Sequence, residues 1–185
     1  MDGLNKLIHQ YKKKYRMGKI GLFYSFKSKK TAKVAGLVLN AFSGADVDSV
    51  NVDEVHHENF LEFDRMIFGV PTWFDGELPN YWDELLPALE DEDFSNKKIA
   101  IFGLGDQVGY SENFCDAIGI MATFFENKGA TIIGSFPLEG YTFERSKAVR
   151  DGQFIGLPLD QENQARLSTK RIEQWVELLK KDFKK

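Results

Sequence analysis

Apolar residues fall in short blocks along this chain, and their spacing switches between strand-like and helical periods. Gly18 to Tyr24 is a compact apolar run that predicts a first strand. Thr31 to Phe42 places Val34, Ala35, Val38, Leu39 and Phe42 at helical spacing. Val47 to Val52 alternates as a second strand, and Asp64 to Val70 predicts a third. A helix is expected over Tyr81 to Leu89, entered after Pro79-Asn80, with Pro87 near its end. Lys98 to Phe102 reads as the fourth strand, and Asn113 to Asn127 as a helix closed by Gly129. Ala130 to Phe136 is expected to be the fifth strand, and Gln164 to Phe183 a final amphipathic helix.

Strands alternating with helices imply a parallel sheet between two helical layers. Five strands at these spacings fit a doubly wound α/β fold of order 2-1-3-4-5, with helices on both faces. The domain is expected over residues 17–185. Residues 137–163 break the rhythm with Gly, Pro and aromatics, so they are expected to form an insertion within it. Residues 1–16 read as a basic extension, with Leu4, Leu7, Ile8, Tyr11 and Tyr15 at helical spacing between lysines.

Two strand-to-helix turns carry the candidate chemistry. Gly105 to Phe114 follows the fourth strand and holds Gly105, Asp106, Gly109, Tyr110 and Asn113. Pro71 to Leu78 follows the third and holds Thr72, Trp73, Phe74, Asp75 and Gly76. Open α/β sheets bind ligands at such strand ends. A Trp and a Tyr from neighbouring turns can clamp one flat aromatic ligand, which makes a flavin pocket the leading reading.

Composition narrows the class. The 185 residues include sixteen Phe, six Tyr and three Trp, so most aromatics must pack in a core, Trp82 and Trp175 among them. Net charge is −4, but residues 1–16 carry five basic groups and one acid, leaving nineteen basic against twenty-seven acidic residues and a balance of −8. Phosphate backbones would be repelled, which argues against nucleic acid and for a basic protein partner. A single cysteine, Cys115, excludes an internal disulfide and a thiolate metal cluster, and reads as a small packing residue. His56-His57 reads as a solvated loop rather than a ligand pair. No apolar run reaches membrane-spanning length and no signal pattern is present, so the expected location is cytoplasmic. Neither a Ser-His-Asp nor a Walker-type pattern is found.

Several phrases together resemble a long-chain flavodoxin: Pro71-Thr72-Trp73 with Gly76-Glu77-Leu78, the run Gly103 to Phe114, and Glu139 to Arg150. So do Phe154-Ile155-Gly156-Leu157 and Arg171-Ile172 with Trp175. The resemblance runs from about Gly18 to the C-terminus. It implies non-covalently bound FMN and one-electron transfer between larger redox proteins. Those would be a basic flavoprotein reductase of the ferredoxin–NADP reductase type and an electron-acceptor enzyme, served by a monomer. It also implies that Trp73 and Tyr110 flank the isoalloxazine. In the family a peptide of the Trp turn reorients toward flavin N5, which corresponds here to Phe74-Asp75-Gly76. Stacking on both faces excludes water, and the carboxylates of Asp75, Glu77, Asp106 and Glu112 disfavour a negatively charged flavin, lowering its potential.

One segment departs from the family. Where the family shows a Thr/Ser-rich turn with a glycine, this chain reads Ser25-Phe26-Lys27-Ser28-Lys29-Lys30-Thr31. Ser28 and Thr31 keep two hydroxyls, Phe26 replaces one, Lys29 stands at the glycine, and Ser25 and Lys27 are further candidates beside them. Backbone N–H groups at a helix N-terminus still suit a phosphate there, and the lysines add charge. FMN is therefore expected to bind more weakly, and with more sensitivity to salt, than a Thr/Gly turn would give. Two other readings are a flavodoxin-fold module with weak or lost FMN binding, and an FMN-dependent NAD(P)H quinone reductase.

Overall fold

The computed structural model describes residues 18–43 and 46–184. The expected basic extension, residues 1–16, lies outside the described residues.

Four parallel strands make up most of the sheet: β1 (Ile20–Tyr24), β2 (Val47–Asn51) at one edge, β3 (Arg65–Pro71) and β4 (Lys98–Gly105). They follow the expected order, β2-β1-β3-β4-β5, with β5 spanning Thr131–Ile133. Ile20 lies opposite both Val47 and Arg65, and Arg65 opposite Lys98, so the strands start level, while β3 and β4 run on past the ends of β1 and β2. All five residues of β1 are buried, and so are five of the seven in β3. Helices cover both faces, which is why these strands read as apolar runs instead of alternating.

Helix α1 (Lys29–Ala41) packs with the C-terminal helix on one face. The short α2 (His57–Leu61) and α3 (Asn80–Asp83) lie with α4 (Asp116–Asn127) on the other. That second face is aromatic. Phe23 stacks on Phe60 at 4.5 Å, and Phe68 meets Phe125 of α4 at 4.8 Å and Trp82 at 5.4 Å. On the first face Trp175 of α5 (Ser168–Asp182) meets Phe102 at 6.4 Å. Trp82 and Trp175 are fully buried, and their indole N–H groups donate to the carbonyls of Gly69 and Gly134. Both are core residues, as expected.

The fifth strand departs from expectation. It was expected over Ala130 to Phe136 but stops at Ile133, because Gly134 turns to φ +83°. A side chain at that glycine would strike Trp175 and Leu179. β5 pairs only with Lys98–Ala100 of β4, while a later strand, β9 (Leu157–Asp160), pairs with Phe102–Gly105. Between them β6 (Phe136–Pro137), β7 (Val149–Arg150) and β8 (Gln153–Phe154) form a small antiparallel sheet of order β6-β8-β7. The insertion thus splits one strand position into two halves.

Other boundaries moved as well: the fourth strand runs to Gly105, and the last helix starts at Ser168 after a 3-10 turn at Ala165–Leu167. The Tyr81 to Leu89 helix is α3 followed by a 3-10 turn at Leu86–Leu89, since Pro87 cannot continue an α-helical ladder. The helix expected from Asn113 starts at Asp116, after a 3-10 turn at Ser111–Asn113 and a left-handed Cys115 (φ +56°). His56-His57, read as loop, instead opens α2, where His56 N–H donates to Asn59 Oδ1 at 3.1 Å.

Candidate cofactor-binding site

The loops after β1, β3 and β4 meet above the C-terminal edge of the sheet, where the strand order reverses between β1 and β3. Each is held by its own backbone chemistry.

After β3, Thr72 N–H donates to Leu104 O at 2.8 Å, and its hydroxyl accepts from Ala117 N–H at the start of α4 at 3.2 Å. The chain then folds back on itself. Trp73 and Glu77 exchange backbone hydrogen bonds at 2.9 and 2.8 Å, and Gly76 N–H also reaches Trp73 O. Closing so tight a turn puts Phe74 at φ +43° and Gly76 at φ +93°. A Cβ at Gly76 would lie 2.8 Å from Asp116 Oδ2, so glycine is required there twice over. Among the described residues no hydrogen bond ties down the Phe74–Asp75 peptide.

After β4, Asp106 closes the next loop, its carboxylate accepting from Gly109 N–H at 2.8 Å and Val108 N–H at 3.0 Å. The Gly109 N–H, helped by Asn163 Nδ2 at 2.8 Å, holds this carboxyl below the usual range. Beneath it the fully buried Asp160 accepts from Gln107 N–H and Nε2, from the backbone of Glu162 and Asn163, and from Asn163 Nδ2. Gln107 Oε1 in turn accepts from Thr142 N–H of the insertion at 2.6 Å. The Tyr110 loop is therefore pinned from below by β9 and from the side by the insertion.

After β1, Ser28 precedes α1 without capping it. Its hydroxyl lies 2.8 Å from the Thr31 hydroxyl. Lys29 is the first residue of the helix and is not in the left-handed region, so a lysine at the glycine position carries no backbone strain. Lys30 pairs with Glu162 across the groove.

Two adjoining clefts result. One, of about 440 Å³, is lined by Thr72, Trp73, Phe74, Gly105, Asp106, Tyr110 and Asn113. The second, of about 520 Å³, shares Thr72, Trp73, Gly105, Asp106 and Tyr110 and extends to Ser28, Lys29, Lys30 and Thr31. Together they form one groove from the aromatic turns to the N-terminus of α1. Trp73 is 37% and Tyr110 54% exposed, and Phe74 and Val108 at the rim are 70% and 72% exposed. Trp73 meets Phe74 and Tyr81 edge-on, at 6.3 and 6.1 Å, and among the described residues makes no ring contact with Tyr110.

Eleven of the fifteen candidate residues line this groove. Four do not. Ser25 is buried and donates to Asp53 at 2.8 Å, Lys27 and Asp75 face solvent, and Gly76 is buried under the Trp turn. Sequence reasoning missed Pro71, Leu104, Gln161 and Glu162, which also line it. Gln161 and Glu162 follow β9, a strand inside the stretch expected to be an insertion without a strand of the sheet. The available signal was that Leu157 to Leu159 is an apolar run ending, like the others, at a polar loop. Cys115 is buried against Gly103 and Gly105, and burial pushes its thiol up, so it packs and does not react. Among the described residues no group of His, Cys, Asp and Glu is placed to hold a metal.

Tyr81, on α3, was not a candidate. Its hydroxyl is shut off from water and makes no hydrogen bond of ordinary length and angle, although the Ser28 hydroxyl lies close by. Burial pushes the phenol up to about 12, the Ser28 hydroxyl opposing and Asp53 adding to the shift.

These features fit a flat aromatic group joined to a phosphate. The exposed rings offer apolar faces at one end. At the other, the turn supplies two hydroxyls, two lysines and the open N-terminus of a thirteen-residue helix.

Comparison with known proteins agrees. A family model described as Flavodoxin matches residues 22–175. A flavodoxin from Picosynechococcus is 45% identical over 168 residues, covering 90% of this chain and 99% of the relative. Flavodoxin 1 from Azotobacter vinelandii is 41% identical, covering 90% and 98%. Among solved structures, a Fusobacterium nucleatum flavodoxin bound to flavin mononucleotide superposes with a TM-score of 0.84 at 33% identity. It spans 89% of this chain and 98% of that one.

Proposed function

This chain belongs to the flavodoxin family, and on that premise we propose that it is a low-potential one-electron carrier using non-covalently bound FMN. It has no substrate of its own and is an electron-transfer protein, not an enzyme. The observation that carries this reading is the single groove joining exposed Trp73 and Tyr110 to the N-terminus of α1. The relatives, named as flavodoxins, favour it over the quinone reductase and the module without FMN.

FMN supplies the redox chemistry itself when bound. The residues of this chain hold and tune it. Trp73 and Tyr110 cover ring faces and exclude water, with Thr72, Phe74, Gly105 and Asn113 completing the wall. In the Phe74-Asp75-Gly76 turn, the Phe74–Asp75 peptide makes no hydrogen bond among the described residues and is free to reorient, and Gly76 takes its positive φ cheaply. Ser28, Lys29, Lys30 and Thr31 take the phosphate end, with backbone N–H groups of α1 directed outward. Asp106 stays ionised beside the groove, and its charge disfavours added negative charge there. Asp75, Glu77 and Glu112 are exposed nearby and act more weakly.

The partners are a basic reductase of the ferredoxin–NADP reductase type and an acceptor enzyme. The acidic balance of the body and the apolar rim of Phe74 and Val108 support that choice. The protein is a cytoplasmic monomer with an extension at 1–16 and one domain over 17–185. Among the described residues no helix is long and apolar enough to cross a membrane.

Titrating the apo-protein with FMN and with riboflavin at two ionic strengths tests this. FMN binds more tightly than riboflavin, and salt narrows the gap. Equal affinities that ignore salt would refute a phosphate grip at residues 28–31.

A further inference from the structure

We propose that Tyr81 is a further positioning residue for the phosphate end of the groove, acting through Ser28. The inference rests on reading that groove as the FMN site.

Phe26, which stands where the family turn carries a hydroxyl, cannot donate. Its ring is half exposed and leans on Tyr24 at 4.9 Å. Tyr81 reaches the same turn from another element. It comes from α3, entered through Pro79, and its hydroxyl is buried beside Ser28. A buried hydroxyl without a well-formed hydrogen bond is costly and rarely kept without a use.

Ser28 can satisfy it. A serine hydroxyl has one proton and two lone pairs. At present that hydroxyl is engaged by Thr31 at 2.8 Å. Rotated about χ1, Ser28 Oγ accepts from Tyr81 O–H and directs its own proton into the groove. Thr31 does the same with its proton. Two hydroxyls then donate to a phosphate, and the Tyr81 hydroxyl gains a well-formed hydrogen bond. Hydrogen bonds in such a chain polarise and strengthen one another.

Tyr81 also touches the other end of the site. Its ring meets the Trp73 indole edge-on, 6.1 Å between centroids at 89°. One side chain thus braces the aromatic turn with its ring and the phosphate turn with its oxygen.

The two contributions separate in Tyr81→Phe, which keeps the ring and removes the oxygen. We expect FMN binding about tenfold weaker, riboflavin binding unchanged, and less thermal protection by inorganic phosphate than in the wild type. Ser28→Ala provides the second arm: adding Tyr81→Phe to it costs no further FMN affinity, because the link is already cut. FMN affinity unchanged in Tyr81→Phe, equal losses for FMN and riboflavin, or additive losses in the double variant would each overturn the proposal. A wild type that binds FMN no better than riboflavin would instead refute the groove reading itself.

Discussion

Gly76 shows how one residue meets two constraints in this site. Its φ of +93° lets the Trp73 turn close, and its missing side chain leaves room for Asp116 Oδ2 and Asn113. Alanine would carry the conformational penalty and press a methyl to 2.8 Å from a buried carboxylate oxygen. Gly76→Ala is expected to lower stability by about 1–3 kcal/mol, read as a fall in the urea midpoint at unchanged slope. A midpoint equal to wild type would mean that the turn is not held as tightly as these contacts imply. Phe74 adopts the same left-handed region without being glycine, and neither its aromatic character nor its neighbours in sequence signal that. Gly76, by contrast, was legible as a breaker in the sequence.

At the scale of elements, the N-terminus of α1 is where the sequence departs from the turn that the resemblance led us to expect. The lysine at the expected glycine sits in ordinary helical backbone, so its effect is electrostatic. It is exposed and solvent-screened, which limits the contribution to about 1 kcal/mol. Lys29→Ala should therefore weaken FMN binding roughly fivefold at low salt and very little at high salt. Fluorescence titration should find riboflavin binding unchanged and the melting temperature close to wild type. A loss that persists at high salt would point to a structural role for Lys29. The boundaries of other elements were less legible. Pro87 was noted within its helix, yet it divides the segment into two short turns. Helix α2 has only five residues, too few for a periodic signal.

For the whole molecule, the sheet order and the groove's location followed from the alternation of strands with helices and from strand ends, because β1, β3 and β4 are apolar runs with buried interiors. The fifth position did not. Its two halves, β5 and β9, are separated by the small sheet, and each pairs with a different part of β4. Only tertiary pairing joins them. That division brings Asp160, Glu162 and Asn163 under and beside the groove, so the insertion supports the Tyr110 loop through Gln107 and Thr142. Function at this scale rests on the assembled groove, and it is read most directly by anaerobic reductive titration of the purified, FMN-reconstituted protein, followed by its visible absorbance. The account predicts a yellow protein that takes up one electron at a time, with the second uptake at much lower potential than for free FMN. A protein that stays colourless after FMN is added, or that takes up both electrons together at the potential of free FMN, would contradict it.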